Sequence, residues 1–421
     1  MTYNKTILNN GVRIITEEIE HLKSVSLGIW VNTGSRDETD QENGVSHFIE
    51  HMSFKGTPTR SSLDIARDLD AIGGLSNAFT GKENTCFFGR VLGKHFPILA
   101  EVLSDIFLNP LFDPINMERE REVIFQEINM MEDTPDDNLN ELFNSRFWFD
   151  HPMGRSILGT GETVSTINQK TISNYIRNYY IPERIMVVAA GKVDHETMVS
   201  HFGPVFDSAL KGGSPNPERS VPAPKGGVSL HFKELEQVHI CLGGEAPSQI
   251  DHGRFACAIF NTILGGNMSS RLFQEVRENR GLAYSIYSFL SSYADTGLLG
   301  VYAATEMKNI KLLLETVQQE IRRMCGGDFT QNDLAAAREH LIGGIYLSSE
   351  SADTRMMRLA KNESIFGREV SYEELVDSLE KVVLDDVVEI AGGVFRNQDL
   401  TFASLGPLED ENLVRECLNM G

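Results

Sequence analysis

The sequence predicts an α+β protein of two similar domains, each a mixed, mostly antiparallel sheet flanked by helices. Three observations carry this expectation. The chain has 421 residues, more than one compact domain usually needs, so two domains of about 200 residues are expected. One clear break in composition, KGGSPNPERSVPAPKGG at 211–227, combines four prolines with four glycines and has no apolar period, as an extended linker does. On both sides of it, short strand-like runs alternate with helical patterns in loosely the same order, which favours α+β domains. The expected division is 1–210, a linker at 211–227, and 228–421. Identity between the halves is too weak to prove duplication.

The first half opens with a hairpin signal. Thr6-Ile7-Leu8 and Val12-Arg13-Ile14-Ile15 flank Asn9-Asn10-Gly11, and Asn-Gly suits a tight turn. SVSLGIWV at 24–31 reads as a buried strand. Helices are expected from Gly44 to Phe54 and from Ser61 to Ile72, the second opened by serines and closed by Gly73-Gly74. Strands follow at Leu75–Thr80 and Thr85–Val91, then helices at 95–108, 114–133 and 137–148. In the second half GGVSLHF and VHICLGG read as strands, Phe255–Leu264 and Ser270–Arg280 as helices, Ala283–Leu290 and Gly297–Ala304 as strands, and 307–324 and 330–349 as helices.

Composition narrows the function. Hydrophobic residues make up 41% and charged residues 23%, as in ordinary soluble globular proteins. The net charge of −22 argues against nucleic acid, whose phosphates require clustered Lys and Arg. It favours basic peptides over acidic ones if the charge faces a substrate, and otherwise serves solubility. No stretch reaches the ~18–20 apolar residues of a membrane span. Five scattered cysteines form no CxxC pair, which suggests a reducing compartment. With no transit-peptide composition at the N-terminus, a cytoplasmic protein is expected.

The strongest signal is His47-Phe48-Ile49-Glu50-His51. On a helix His47 and His51 lie one turn apart, about 40° in angle, with Glu50 about 60° from His47 on the other side. Both imidazoles can then reach one cation, while the carboxylate lies beside it. Catalytic zinc takes about three protein ligands and a water, and an adjacent carboxylate can take a proton as that water attacks a carbonyl. The pattern arises by chance in roughly one or two per cent of chains this long, so a third ligand decides its meaning. Residues 118–127 read EREREVIFQE on a predicted helix. Glu120 and Glu127 fall within about 20° of one another there. Glu127 could ligate the metal while Glu120 supports a ligand from behind. By helical pattern alone the cluster also fits a solvated, Arg-paired surface.

HFIEHMSFKGTPTR followed by Glu127 resembles the pitrilysin and mitochondrial processing peptidase family of inverted-motif zinc peptidases, in particular its short two-domain bacterial members. The resemblance spans nearly the whole chain. It implies one Zn2+ per chain held by His47, His51 and Glu127, with Glu50 as general base and Glu120 behind a ligand. It also makes LSNAFT an edge strand on which a substrate peptide pairs at Asn77, Ala78, Phe79 and Thr80. Active members carry an Arg and a Tyr seven residues apart in the second half, matched by Arg277 and Tyr284. Both can donate hydrogen bonds to a carbonyl oxygen gaining charge. The activity implied is that of an endopeptidase cleaving peptides or presequence-like segments held extended in a closed chamber. The chamber would be closed by a homodimer in which the Arg–Tyr pair of one copy serves the metal of the other. The family also contains inactive structural or partner-activating subunits. These usually lose the zinc motif or carry a longer glycine-rich loop, whereas this chain has the full motif and a short Gly265-Gly266. A phosphate loop at Gly74…Gly81-Lys82 is rejected, because its spacing is wrong and Glu83 follows the lysine. The remaining histidines lack ligand spacing.

Overall fold

Strands bury both faces of a sheet when apolar side chains fill alternate positions on each side. The computed structural model describes residues 2–209, 219–396 and 400–418. Its first sheet contains β1 (Thr2–Ile7), β2 (Arg13–Glu18), β3 (Ser24–Val31), β4 (Leu75–Thr80), β5 (Thr85–Leu92) and β6 (Ile185–Gly191), in the spatial order β1-β2-β6-β3-β5-β4. The β2–β6 pair is parallel and the others are antiparallel. β3 places Val25, Leu27, Ile29 and Val31 on one face and Trp30 on the other. The β1–β2 hairpin turns at the expected Asn9-Asn10-Gly11, where Gly11 takes φ +103°, a conformation that favours glycine.

Helices cover the first face of this sheet. They are α1 (Val45–Ser53), α2 (Ser62–Ala71), α3 (Phe96–Leu108), α4 (Pro114–Asp133) and two later helices, Gln169–Tyr179 and His195–Ala209. Ser61 caps α2, its hydroxyl accepting from Asp64 N while the Asp64 carboxylate accepts from Ser61 N. That reciprocal pair satisfies two amides at the helix start. The opposite face is covered by the helix Ala352–Phe366, whose Met356, Leu359 and Ala360 pack on Ile15, Trp30, Met186 and Val188.

The second sheet contains β7 (Gly227–Phe232), β8 (Val238–Glu245), β9 (Ser285–Ser292), β10 (Gly297–Thr305) and β11 (Thr401–Gly406), in the order β7-β11-β8-β10-β9. Only β7–β11 is parallel. This reproduces the first sheet without β1, so the repetition suggested by element order is a shared topology. One face packs on the helices Arg254–Leu264, Ile310–Cys325, Leu384–Val394 and Glu411–Leu418. The other packs on α5 (Pro135–Phe147), whose Leu139, Phe143 and Phe147 meet Cys241, Leu298, Tyr302 and Ala403.

The compact units differ from a simple division into halves. One comprises Met1–Met130, Arg155–Arg219 and Ser348–Glu369; the other comprises Met131–Gly154, Ser220–Leu347 and Val370–Gly421. Each half of the chain thus supplies a helix that buries the far face of the other half's sheet. The physical reason is that a sheet apolar on both faces needs a layer on each. Of the linker expected at 211–227, residues 211–218 lie outside the described residues, and Gly227 already begins β7. β6 escaped the sequence reading because IMVVAAG is buried throughout and shows no alternation. The expected helix Ser270–Arg280 contains a π-helical stretch, Phe273–Glu278. No helix among the described residues is long and apolar enough to cross a membrane.

The exchange of helices has a direct test. Phe143 is fully buried, and Phe143→Ala should cost about 3–5 kcal/mol. Hydrogen exchange read by mass spectrometry should accelerate in β8 and β11 and leave β3 and β6 protected. Loss of protection in β3 and β6 instead would contradict the assignment of α5 to the second unit.

Candidate metal centre

α1 begins at Gly44, whose φ of +95° turns the chain into the helix from the 3-10 turn Asp40–Glu42. The buried carboxylate of Glu38 accepts from Gly44 N and Ser46 N, both at 2.8 Å, and from Asn43 Nδ2 at 3.0 Å. A negative group at a helix N-terminus satisfies free amides and complements the helix dipole. Burial pushes the Glu38 carboxyl up, against the pull of those donors. The sequence reading did not single out Glu38, which lies seven residues before the first residue of α1, between two short 3-10 turns.

Val45, Phe48, Ile49 and Met52 enter the core of the first unit. The helical period therefore leaves His47, Glu50 and His51 on the less buried side. α4 supplies the facing carboxylates and is anchored by Arg121. The Arg121 guanidinium lies 5.3 Å from the Phe48 ring centroid and donates to Val164 O and Ile167 O.

Glu127 Oε2 lies 3.4 Å from His47 Nε2 and 3.5 Å from His51 Nε2. One ligand atom from each of the three residues lies within 4.8 Å of the others, and no other group of three His, Cys, Asp or Glu among the described residues does this. Tetrahedral zinc with bonds of about 2.0–2.1 Å separates its ligand atoms by roughly 3.3–3.5 Å, so the spacing fits that ion. The proton positions point the same way. His51 Nδ1 lies 3.2 Å from Glu120 Oε2, so a neutral His51 carries its proton on Nδ1 and presents the Nε2 lone pair to Glu127. Two acceptors at that separation repel unless a cation lies between them. Lys55 Nζ pairs with Glu120 Oε1 at 2.7 Å and completes a Lys55–Glu120–His51 chain, the arrangement that orients a metal-binding imidazole. The sequence reading gave Lys55 no role, although it lies one turn beyond His51.

Burial, and then the neighbouring His51, push the His47 imidazole down to about 3, which keeps it neutral as a ligand must be. Glu50 Oε2 accepts from the Thr80 hydroxyl at 2.5 Å. Burial pushes the Glu50 carboxyl up; Thr80 and His51 oppose this and Glu127 adds to it.

β4 ends the strand order of the first sheet, so one edge of Asn77, Ala78, Phe79 and Thr80 has no strand partner among the described residues. Ala78 faces the core beneath α1, while Phe79 stacks edge-on against Trp30 at 5.4 Å and Phe88 at 6.1 Å. Arg277 and Tyr284 belong to the second unit. There they converge, the guanidinium lying 4.4 Å from the Tyr284 ring centroid, with Tyr284 78% exposed.

Comparison with known proteins agrees with this architecture. Residues 13–161 match the family described as insulinase (peptidase family M16), and residues 166–341 match the peptidase M16 inactive domain. The uncharacterised zinc protease YmxG of Bacillus subtilis is 38% identical, covering 94% of this chain and 97% of the relative. An uncharacterised zinc protease of Streptomyces coelicolor is also 38% identical, covering 98% of this chain and 92% of the relative. The chain belongs to the peptidase M16 family, the insulinase and pitrilysin group. Among solved structures, a protease from Helicobacter pylori has the same fold, with a TM-score of 0.91 at 18% identity, covering 96% of this chain and 100% of that one. A peptidase M16 inactive domain structure from Pseudomonas fluorescens gives 0.89 at 18% identity, covering 98% of this chain and 100% of that one.

The depressed His47 predicts a pH dependence for protein stripped of metal. Between about 3 and the unfolded value of 6.5, the unfolded chain binds a proton at His47 that the folded chain does not. This contribution to stability therefore falls as pH drops below 6.5. In a ring-proton titration His47 should stay neutral from pH 8 down to 5. A midpoint near 6.5 would show that its burial has no such effect.

Proposed function

We propose that this protein is a zinc-dependent endopeptidase with one Zn2+ per chain. The observation that supports it is the convergence of His47 Nε2, His51 Nε2 and Glu127 Oε2 beside the Glu50 carboxylate. His47, His51 and Glu127 are the ligands, and Glu120 holds His51 in the tautomer that leaves Nε2 free. Zinc held there supplies a Lewis acid that polarises a scissile carbonyl and makes water readily deprotonated near neutral pH. Glu50 accepts the proton as water attacks the peptide carbonyl, then delivers it to the departing amine nitrogen. A substrate peptide adds as a strand along the free edge of β4, taking main-chain hydrogen bonds beside Asn77 to Thr80. The intact ligand set and base weigh against the alternative of an inactive structural or partner-activating subunit. The five unpaired cysteines support a reducing, cytoplasmic setting.

In this reading Arg277 and Tyr284 donate hydrogen bonds to the oxygen of the tetrahedral intermediate. We assign them to a second copy of the chain, in a two-fold homodimer that encloses an extended peptide. The support is that a two-domain chain carries both the metal motif and the stacked Arg–Tyr pair. The resemblance to the processing peptidases suggests peptides or presequence-like segments as substrates.

Two experiments test the reading. Glu50→Gln should retain zinc and lose several orders of magnitude in kcat, because it removes a base and no ligand, whereas His51→Ala or Glu127→Ala should lose both metal and activity. Full peptidase activity in Glu50→Gln would end the assignment. For the dimer, equal amounts of Glu50→Gln and Arg277→Ala/Tyr284→Phe chains are mixed under conditions that exchange subunits. Each mixed dimer then has one site with neither defect, and random pairing restores about a quarter of wild-type activity. A mixture that stays inactive with mixed dimers present would rule out the shared site.

A further inference from the structure

We propose that Thr80 is a positioning residue for the general base, its hydroxyl holding Glu50 Oε2 so that Oε1 is left to receive the proton. This deepens the peptidase reading and rests on it for the role of Glu50.

The contact joins two elements that are each fixed from behind. Glu50 rides on α1, whose Phe48, Ile49 and Met52 are buried in the core. Thr80 is the last residue of β4 and pairs with Thr85 of β5. The turn between them is closed by Gly81 N donating to Asn84 O at 2.7 Å. A loop following β3 then clamps that turn, with Ser35 N donating to Gly81 O at 3.1 Å and Arg36 N to Lys82 O at 2.8 Å. Thr85 Oγ1 donates to Thr33 O at 3.0 Å in the same loop. No side chain fits at Gly34, whose Cβ would run into the carbonyl oxygens of Gly81 and Lys82. Thr80 Oγ1 is thus delivered to Glu50 Oε2 at 2.5 Å by a rigid turn, on a β-branched side chain with few rotamers.

The chemistry explains why this matters. The terminal torsion of a glutamate is broad, so an untethered carboxylate samples many planes. One donated hydrogen bond fixes that plane. Among the described residues Glu50 makes its one hydrogen bond through Oε2, which leaves Oε1 as the basic atom. In the transfer, the water O–H breaks and an Oε1–H bond forms; that proton later passes to the amine nitrogen as the C–N bond breaks. Small misplacements of a catalytic group cost up to about 100-fold in rate.

Thr80→Val removes the donor at nearly constant volume, and Thr80→Ser keeps it. Zinc content, kcat and KM are measured on one quenched fluorescent peptide that the wild type cleaves, with Glu50→Gln alongside. The expected result for valine is unchanged zinc, KM within about twofold and kcat lowered about 10–100-fold, with serine within about threefold of wild type. If valine disturbs the strand, seen as lost zinc or an altered circular dichroism spectrum, Thr80→Ala replaces it in the same comparison. Wild-type kcat in the donor-less variant overturns the proposal. So does a raised KM with unchanged kcat, which would make the hydroxyl a substrate contact, or a serine variant as poor as valine. Wild-type activity in Glu50→Gln would overturn the base assignment itself, whereas an inactive Glu50→Gln beside a fully active Thr80→Val overturns the role of Thr80 alone.

Discussion

Packing of one short helix governs the site. Phe48, Ile49 and Met52 anchor α1 in the core of the first unit, and the helical repeat then dictates that His47, Glu50 and His51 emerge together. α1 has only nine residues, too short to be stable alone. Its orientation is therefore set by burial and by the Glu38 carboxylate at its N-terminus, not by intrinsic helicity. A rotation of α1 by one residue would bury a histidine and expose Phe48, so core and site are specified by the same side chains.

Around that helix the polar groups are arranged in tiers. Glu127 faces both imidazoles, Glu120 holds His51 from behind, and Lys55 neutralises Glu120. Several carboxylates in one half-buried region would repel each other. A dication relieves that repulsion, which is why the arrangement reads as a metal centre and not as an acidic surface. Thr80 plays for Glu50 the part that Glu120 plays for His51, and each comes from a different element: the edge strand in one case, the long helix in the other.

The second unit uses the same strand order, and among its described residues no three His, Cys, Asp or Glu side chains converge as His47, His51 and Glu127 do. The helix that occupies the place of α1 there, Arg254–Leu264, reads RFACAIFNTIL and is devoted to packing. The two sheets share a strand order while their residues differ, since many apolar residues fill a core equally well. Each unit's far-face layer comes from the other half of the chain, α5 in one and Ala352–Phe366 in the other. Folding of either sheet therefore depends on a helix distant in sequence, and neither half of the chain contains a complete unit.

Much of this was present in the residue order. The spacing of His47, Glu50 and His51, the seven-residue step from Glu120 to Glu127, the Asn-Gly hairpin and the Ser61 cap depend on local periods, which a sequence displays directly. The resemblance of HFIEHMSFKGTPTR to a peptidase family pointed to Glu127 as the candidate third ligand, which spacing alone left open. Other features required the folded chain. β6 is apolar on both faces, so no alternation marks it. The exchange of α5 and Ala352–Phe366 is a choice between two apolar sheet faces that look alike in sequence. The stacking of Arg277 on Tyr284 crosses a glycine-broken turn that carries no helical phase. Lys55 behind Glu120, Glu38 beneath Gly44 and Thr80 beside Glu50 are contacts between separate elements. Sequence fixes which residues can meet within one helix or strand, because their geometry is periodic; which elements meet is decided by packing of the whole core.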